Sequence, residues 1–162
     1  MKVATTRFGE MEIPENSIIH IPEGILGFPN NRRYVLLEHD AEGTPFKWLQ
    51  AVDSERLAFI VVDPRHILPE YRVEFDEETV ALFGAIVPED FDSMVIVNVP
   101  RENPIAMTAN LKAPIIVHYP KRIGRQIILR NEDYSITHRI FPEPSSEDDG
   151  AERPVKAAQS AG

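Results

Sequence analysis

Histidine is the residue type in this chain best suited to metal binding or general acid-base catalysis, and five histidines are present. They are His20, His39, His66, His118 and His138. Neighbouring histidines are 19, 27, 52 and 20 residues apart, so no pair has the short spacing by which one helix or strand presents two metal ligands. The sequence therefore predicts no metal and no cofactor, and it assigns no catalytic histidine.

Paired carboxylates are the second possible source of chemistry. Asp53 with Glu55, and Asp90 with Asp92, are spaced closely enough to act as an acid and a base in hydrolysis. Both pairs lie in turn-like surroundings without an evident apolar pocket, so solvated loop carboxylates are the favoured interpretation. We expect no enzyme activity. The alternative is a β-barrel enzyme or small-ligand-binding protein that uses loop carboxylates and a histidine.

The net charge indicates the class of partner. The 162 residues include 17 Lys and Arg against 26 Asp and Glu, a formal net charge of −9. A negative field of this size repels phosphate backbones and anionic lipid head groups, so we expect no direct nucleic-acid or membrane binding and a preference for basic partners. The less favoured alternative is a local phosphate patch. Its basic residues are Lys112, Lys121, Arg122, Arg125 and Arg130, with Tyr119 among them.

Composition also indicates the compartment. The chain has no cysteine, which excludes disulfides, thiol catalysis and cysteine-ligated metal sites. Residues 1–7 lack the apolar run of a signal peptide. Pro, Asp or Arg interrupts every hydrophobic run well short of the ~20 residues that a membrane span needs. We therefore expect a cytoplasmic protein.

Short segments rich in Val, Ile, Phe and Tyr, separated by many prolines and glycines, predict strands. The ten predicted strands are Lys2–Phe8, Glu10–Ile13, Ile18–Ile21, Arg33–Glu38, Phe46–Val52, Ala58–Asp63, Met94–Val99, Ala106–Lys112, Ile115–Tyr119 and Arg125–Arg130. One short helix is predicted after the capping residue Asp76, ending at Gly84. The expected fold is mostly β, a small antiparallel β-barrel-like or sandwich domain with one short helix and a disordered C-terminal tail.

The chain divides into two parts. Residues 1–142 are expected to form a single domain, and residues 143–162 an acidic, Pro- and Ser-containing disordered tail. Several predicted strands are apolar at successive positions, so both of their faces must be covered, because successive side chains point to opposite faces of a sheet. The cover is either long loops or a second sheet, or part of the outer face is a protein-protein surface.

Five sequence blocks occur together in the order and spacing of a known protein family. They are Thr6–Glu10, Ile21–Phe28, Pro45–Gln50 with Asp53, Leu57–Pro64 and Asn110–Ile115. Together they resemble the flagellar assembly factor FliW family over roughly residues 1–139.

The resemblance implies a small β-barrel-like protein without enzyme activity and with two protein partners. One is the carbon storage regulator CsrA, an RNA-binding dimer that represses flagellin translation. The other is flagellin, which titrates the factor away from the regulator. Because the folded acids look scattered through loops rather than arranged as a phosphate-like face, we expect docking beside the RNA site and noncompetitive antagonism.

Five residues within these blocks are candidate partner contacts: Phe46, Trp48, Gln50, Asp53 and Asp63. The first three alternate along one predicted strand and form a mixed aromatic and polar face, which suits the centre of an interface. A core position is the alternative for Trp48. The two aspartates follow apolar strands, and each either touches a partner or caps a turn, Asp63 before Pro64 most plainly.

Overall fold

The computed structural model describes residues 1–38, 43–84 and 86–142, so His39 and the expected tail at 143–162 lie outside the described residues. The described part contains one α-helix, α1 (Glu77–Phe83), and eleven strands. The strands are β1 (Lys2–Thr5), β2 (Gly9–Glu12), β3 (Ile19–His20), β4 (Arg33–Glu38), β5 (Lys47–Ala51), β6 (Ala58–Val62), β7 (Phe91–Asn98), β8 (Thr108–Ala109), β9 (Ile115–His118), β10 (Ile123–Gln126) and β11 (His138–Arg139). Each of the ten predicted strands has a counterpart, and β11 is additional.

Four predicted strands differ clearly in their bounds. β1 ends three residues earlier than predicted and β7 begins three residues earlier. The segment Ala106–Lys112 shortens to β8 because Pro104–Ala106 forms a 3-10 turn before it, and the Asn110 side chain accepts two backbone N–H groups in a turn after it. The segment Arg125–Arg130 begins two residues earlier as β10 and ends at Gln126. Beyond that residue the chain stays bonded to a neighbour along one edge only.

Seven strands close into a barrel. β3 to β7 pair in succession, β10 joins β3 to β9, and β9 pairs back to β7. In the closing register Phe91 lies opposite His118, and Met94 opposite Ile115. The barrel pairings are antiparallel except for a short parallel contact between β3 and β10. The expected antiparallel β-barrel-like fold is therefore confirmed, with one parallel contact.

Alternate side chains of these strands fill the barrel interior. The buried interior cluster consists of Ile19, Ile21, Ile25, Tyr34, Leu49, Ala51, Val61, Met94, Ile115 and Val117. β10 contributes Gly124, where an added Cβ would lie 3.3 Å from a side-chain carbon of Ile21. The barrel thus closes tightly where β10 passes β3, and a larger residue there requires its neighbours to shift.

One outer face is covered by a layer that we call the hairpin layer, residues 1–18. It contains the β1–β2 hairpin, in which Val3 pairs with Met11. Its buried side chains pack against the outward side chains Val35 and Leu37 of β4. This cover explains why β4 is apolar on both faces.

The opposite outer face is covered by a layer that we call the helix layer, residues 64–84 and 127–141. Its side chains, including Tyr71, Leu129 and Tyr134, pack on the outward residues of β6, β7 and β9. Helix α1 begins after Asp76, whose carboxylate accepts the Thr79 N–H at 2.8 Å, and it ends at Gly84 as predicted. Of its seven residues, Thr79 and Phe83 are buried.

Candidate functional site

β5 places the predicted aromatic and polar residues in unequal environments. Trp48 lies opposite Leu37 of β4, so both point outward from the barrel. Phe46 precedes β5, is half-buried, and packs against the cluster under the helix layer. Trp48 instead packs against the cluster under the hairpin layer. The two aromatic residues therefore belong to different covers of the barrel.

Trp48 is half-buried, between the core and the surface positions considered from the sequence. The guanidinium carbon of Arg7 lies 4.0 Å from the centre of its ring. This geometry is a cation-π contact between the hairpin layer and the barrel. Trp48 thus has an apolar contact on the barrel side and a charged neighbour on the hairpin side.

Gln50, the polar member of the face predicted with Phe46 and Trp48, is fully buried. Its side-chain Nε2 lies within hydrogen-bond distance, 3.1 to 3.2 Å, of four backbone carbonyl oxygens. These belong to Ala51, Ser54, Glu55 and Leu57. These carbonyls satisfy the Nε2 donors, whereas the buried Oε1 has no hydrogen-bond partner among the described residues, so Gln50 organises the turn after β5 from beneath through its Nε2.

The turn that Gln50 organises also anchors the hairpin layer. The Glu55 carbonyl accepts the backbone N–H and the hydroxyl of Thr6, both at 3.0 Å. The same carbonyl is one of the acceptors of the Gln50 amide. One buried side chain therefore links β5, the turn after it and the turn between β1 and β2.

Asp53 lies at the surface of this turn and forms a bidentate ion pair with Arg33 of β4. The Arg33 Nη2 donates to Oδ1 at 2.6 Å and Nε donates to Oδ2 at 3.0 Å. Hydrogen bonding to the guanidinium lowers the pKa of Asp53. The carboxylate is half exposed, so a partner can reach it, but its charge is already matched.

Asp63 caps a turn, as its position before Pro64 predicts. Its Oδ1 accepts the backbone N–H of Arg65 at 2.9 Å at the start of the 3-10 turn Pro64–His66. Asp63 also lines the mouth of the barrel. It therefore lies apart from Trp48, which packs under the hairpin layer.

The barrel mouth is the place where an enzyme or small-ligand site would be expected. It holds a cavity of about 220 Å³ whose lining includes Lys47, Asp63, His66, Asp92 and Tyr119. The Tyr119 hydroxyl donates to Asp92 at 3.0 Å, and burial together with that carboxylate raises the pKa of Tyr119. The cavity is smaller than the roughly 300 Å³ at which ligand pockets begin, and its two carboxylates already accept hydrogen bonds.

Of the four histidines that the structure describes, only His118 is buried, and it lies among aromatic residues. Its Nδ1 accepts the Lys121 N–H at 3.2 Å, and its Nε2 lies 3.9 Å from a carboxylate oxygen of Asp90. Its ring stacks on Phe83 of α1 at 5.5 Å. His118 therefore fastens α1 to the barrel. Among the described residues, no group of three or more His, Asp or Glu side chains is arranged to hold a metal ion.

The basic residues near β10 mostly contact the protein itself. Arg125 forms ion pairs with Glu23 at 3.1 Å and with Glu78 at 2.8 Å. Arg122 donates to the Ser17 carbonyl at 2.7 Å. A phosphate patch needs cations that point to solvent, so these contacts disfavour it.

The acids are unevenly distributed along the chain. Residues 70–92 contain eight of them and one basic residue, Arg72. Much of this segment forms the helix layer around α1. Counting acidic and basic residues along the chain identifies this acidic segment, whereas a search for spaced sequence motifs does not. Within the described residues, no helix is both long and apolar enough to cross a bilayer.

Comparison with known proteins finds relatives of this chain in both sequence and structure. Residues 2–140 match the FliW protein family. A flagellar assembly factor FliW from Natranaerobius thermophilus is 36% identical over 151 residues, covering 93% of this chain and 99% of the relative. A second from Syntrophus aciditrophicus is 41% identical over 141 residues, covering 87% and 88%. A crystal structure of the flagellar assembly factor FliW superposes with a TM-score of 0.80 at 36% identity, covering 90% of this chain and all of that one.

Proposed function

Because this chain belongs to the FliW family of flagellar assembly factors, we propose that it works by binding two proteins, a CsrA-type regulator and flagellin. The observation that carries this proposal is the match of residues 2–140 to that family. The family resemblance also implies a feedback loop that controls flagellin synthesis. Unsecreted flagellin occupies the factor, the freed regulator represses flagellin mRNA, and synthesis pauses until export resumes. The factor thereby also acts as a chaperone of flagellin in the cytoplasm.

Charge supports a basic partner. An RNA-binding regulator carries positive potential, and this chain carries −9 with an acidic run at residues 70–92. Such a run, held beside the RNA site of the regulator, lowers RNA affinity through its field without covering the bases that are read. We therefore propose noncompetitive antagonism, with no direct binding of this chain to nucleic acid or to membranes.

The proposed partner contacts are Phe46, Trp48, Asp53 and Asp63, with Gln50 acting from beneath. Trp48 offers a half-buried ring, and Asp53 offers a half-exposed carboxylate on the turn that Gln50 supports. Aromatic side chains with polar neighbours are frequent among residues that dominate binding energy. Phe46 packs against the cluster under the helix layer and Asp63 lines the barrel mouth, so these two would serve a second contact.

The test is a calorimetric titration of the purified chain with a CsrA-type regulator and, separately, with flagellin. We expect both to bind. Saturating flagellin leader RNA should not displace the chain from the regulator, and raising salt from about 50 to 300 mM should relieve part of the inhibition because screening shortens the field. Complete displacement by RNA would show steric competition instead.

The pull-down from native cytosol separates this proposal from its rival. Recovery of flagellin and a small basic RNA-binding protein supports the proposal. Recovery of neither, with a defined small molecule that copurifies, would favour a small-ligand protein that uses the barrel mouth.

A further inference from the structure

A wide groove runs between the two parts of the helix layer. One wall is the extended segment 72–76 with the start of α1, and the other is the segment 128–134. The groove has a volume of about 910 Å³, far larger than the barrel-mouth cavity of about 220 Å³. It lies outside the residues predicted from the sequence as partner contacts.

The wall at residues 128–134 presents an open strand edge. After β10 the N–H groups of Ile127 and Leu129 donate to the carbonyls of Pro114 and Lys112, at 3.0 and 2.8 Å. Because backbone groups alternate in direction along an extended chain, the N–H groups of Ile128 and Arg130 point the other way. In the part of the chain that the structure describes, neither N–H has a hydrogen-bond partner.

The wall at residues 72–76 is similarly open. Segment 72–76 is extended without belonging to a sheet, and the Arg72 N–H is held at 3.0 Å by the hydroxyl of Tyr134. From Val73 to Phe75, no backbone N–H donates a hydrogen bond to another described residue. Two extended walls with unused donors leave room for a strand that pairs with one of them.

The side chains of the groove select the kind of strand that fits. The residues that line the groove include four acids but only two basic residues, Arg72 and Arg130. The acids are Glu74, Asp76, Glu77 and Glu78. Asp76 caps α1 and Glu78 pairs with Arg125, whereas Glu74 and Glu77 form no ion pair within the described residues. Ile128 on the opposite wall is 62% exposed. The groove thus combines unpaired carboxylates with an exposed apolar side chain.

We propose that this groove docks an extended, basic segment of a partner protein, which adds a strand to the edge at residues 127–131 and places its cations beside Glu74 and Glu77. The inference rests on the proposed protein-binding function and locates a binding surface for it. Nucleic acid is disfavoured because the carboxylates would repel phosphates. The chain's own residues 143–162 are disfavoured because they carry five acids and two bases.

A labelled peptide of alternating Lys and Val tests this docking on the full chain. We expect fluorescence anisotropy to show binding, and a Glu–Val peptide not to bind. A Lys–Val peptide with alternate N-methylated residues cannot complete a ladder, so it should bind at least about tenfold more weakly. Failure of the unmodified Lys–Val peptide to bind, or equal binding of its N-methylated form, overturns the proposal.

Charge variants locate the binding. Glu74→Lys with Glu77→Lys should weaken binding of the Lys–Val peptide by about tenfold or more. The matched control is Glu10→Lys with Glu15→Lys, which changes the net charge equally at exposed positions on the hairpin layer, and it should weaken binding less than about threefold. Equal losses would mean that the overall field, rather than the groove, attracts the peptide, and would overturn the proposal.

Amide hydrogen exchange supplies an independent measurement. On peptide binding, the amides of Ile128 and Arg130 should gain protection, whereas exposed amides of the hairpin layer should not change. Unchanged exchange at both residues overturns strand addition.

If Arg153→Glu with Lys156→Glu in the full chain strengthened peptide binding about tenfold, the chain's own C-terminal residues would be the occupant and the proposal would be wrong.

The variants also separate this inference from the proposed function. If the Glu74 and Glu77 variant binds the regulator and flagellin as tightly as the native chain does, the groove proposal is wrong and the function stands. If the native chain binds neither protein, the proposed function is wrong whatever the peptide does. A selective loss of one protein partner in the variant supports both.

Discussion

The two covers of the barrel are built differently. The hairpin layer is sealed by buried aliphatic residues and by the Gln50 amide, which holds the turn after β5 against the hairpin. The helix layer leaves a groove of about 910 Å³ and a second cavity of about 360 Å³ on the two sides of Phe75. Both layers cover the same barrel, yet one closes its face and the other leaves it partly open.

This difference shows which contacts hold an acidic segment on the outer face of a β-barrel. Helix α1 has seven residues, too few to be stable alone, and buries two of them. Capping by Asp76, the ion pair of Glu78 with Arg125 and the stacking of Phe83 on His118 hold it in place. These polar contacts hold the layer in place and leave it acidic, with an open groove.

The largest expected effect tests whether contacts with the hairpin layer contribute more to the free energy of unfolding than exposed positions of the helix layer do. Trp48→Ala removes the contact with Arg7 and with the cluster beneath the hairpin, so it should lower the free energy of unfolding by about 3 kcal/mol. Ile128→Ala, at an exposed position of the helix layer, should lower it by less than about 0.5 kcal/mol. Urea denaturation compares them, and equal losses would break the contrast between the layers.

The second prediction concerns the polar link within the sealed side. Gln50→Leu keeps the side chain's size but removes the amide from four carbonyl oxygens, so it should destabilise by about 2 kcal/mol. Amide exchange in β1 should rise with it, because the same turn accepts hydrogen bonds from Thr6. A thermal unfolding transition equal to that of the native chain would show that apolar packing alone holds the hairpin layer on the barrel.

The third prediction tests the polar ties of the helix layer. Asp76→Ala should cost about 1 kcal/mol at pH 7 through loss of the cap. Hydrogen bonds from Thr79 lower the pKa of Asp76 in the folded state, so its contribution is present above the ordinary aspartate pKa and disappears as pH falls through the lowered value.

The variant should therefore differ from the native chain at pH 7 and converge with it in strong acid. Chemical denaturation across that pH range measures the convergence. Glu132→Ala, which removes an exposed carboxylate outside the helix, is the matched control and should show little change. A constant difference at every pH would contradict the capping role.

The smallest expected effect compares a buried tyrosine hydroxyl of the barrel interior with one of the helix layer. The Tyr34 hydroxyl is buried without a hydrogen-bond partner among the described residues, and burial raises the pKa of Tyr34 to about 12. Tyr34→Phe should therefore leave stability unchanged or raise it by up to about 1 kcal/mol. Tyr71→Phe is the control and should destabilise, since that hydroxyl donates to the Leu111 carbonyl at 2.6 Å. Thermal melts of the two variants should move apart.

Local sequence patterns predicted the elements well because strand and helix signals lie within a few neighbouring residues. The bounds Arg33–Glu38 were predicted to the residue, and Asp76 and Gly84 begin and end the helix as expected. Asp63 caps a turn because the following Pro64 favours one. These features depend on backbone propensity and short-range hydrogen bonds, which the sequence itself contains.

The sequence by itself also determined the overall acidity and the blocks that identify the family. The tertiary structure alone decided which residues meet. Alternation along β5 placed Gln50 beside Trp48 on the outward face, but only the fold shows that the turn after β5 buries the amide. The groove needs residues 72–78 beside 128–134, segments some fifty residues apart in the chain. Such contacts follow from closure of the barrel and packing of its layers, and periodicity reports which positions are apolar without specifying what covers them.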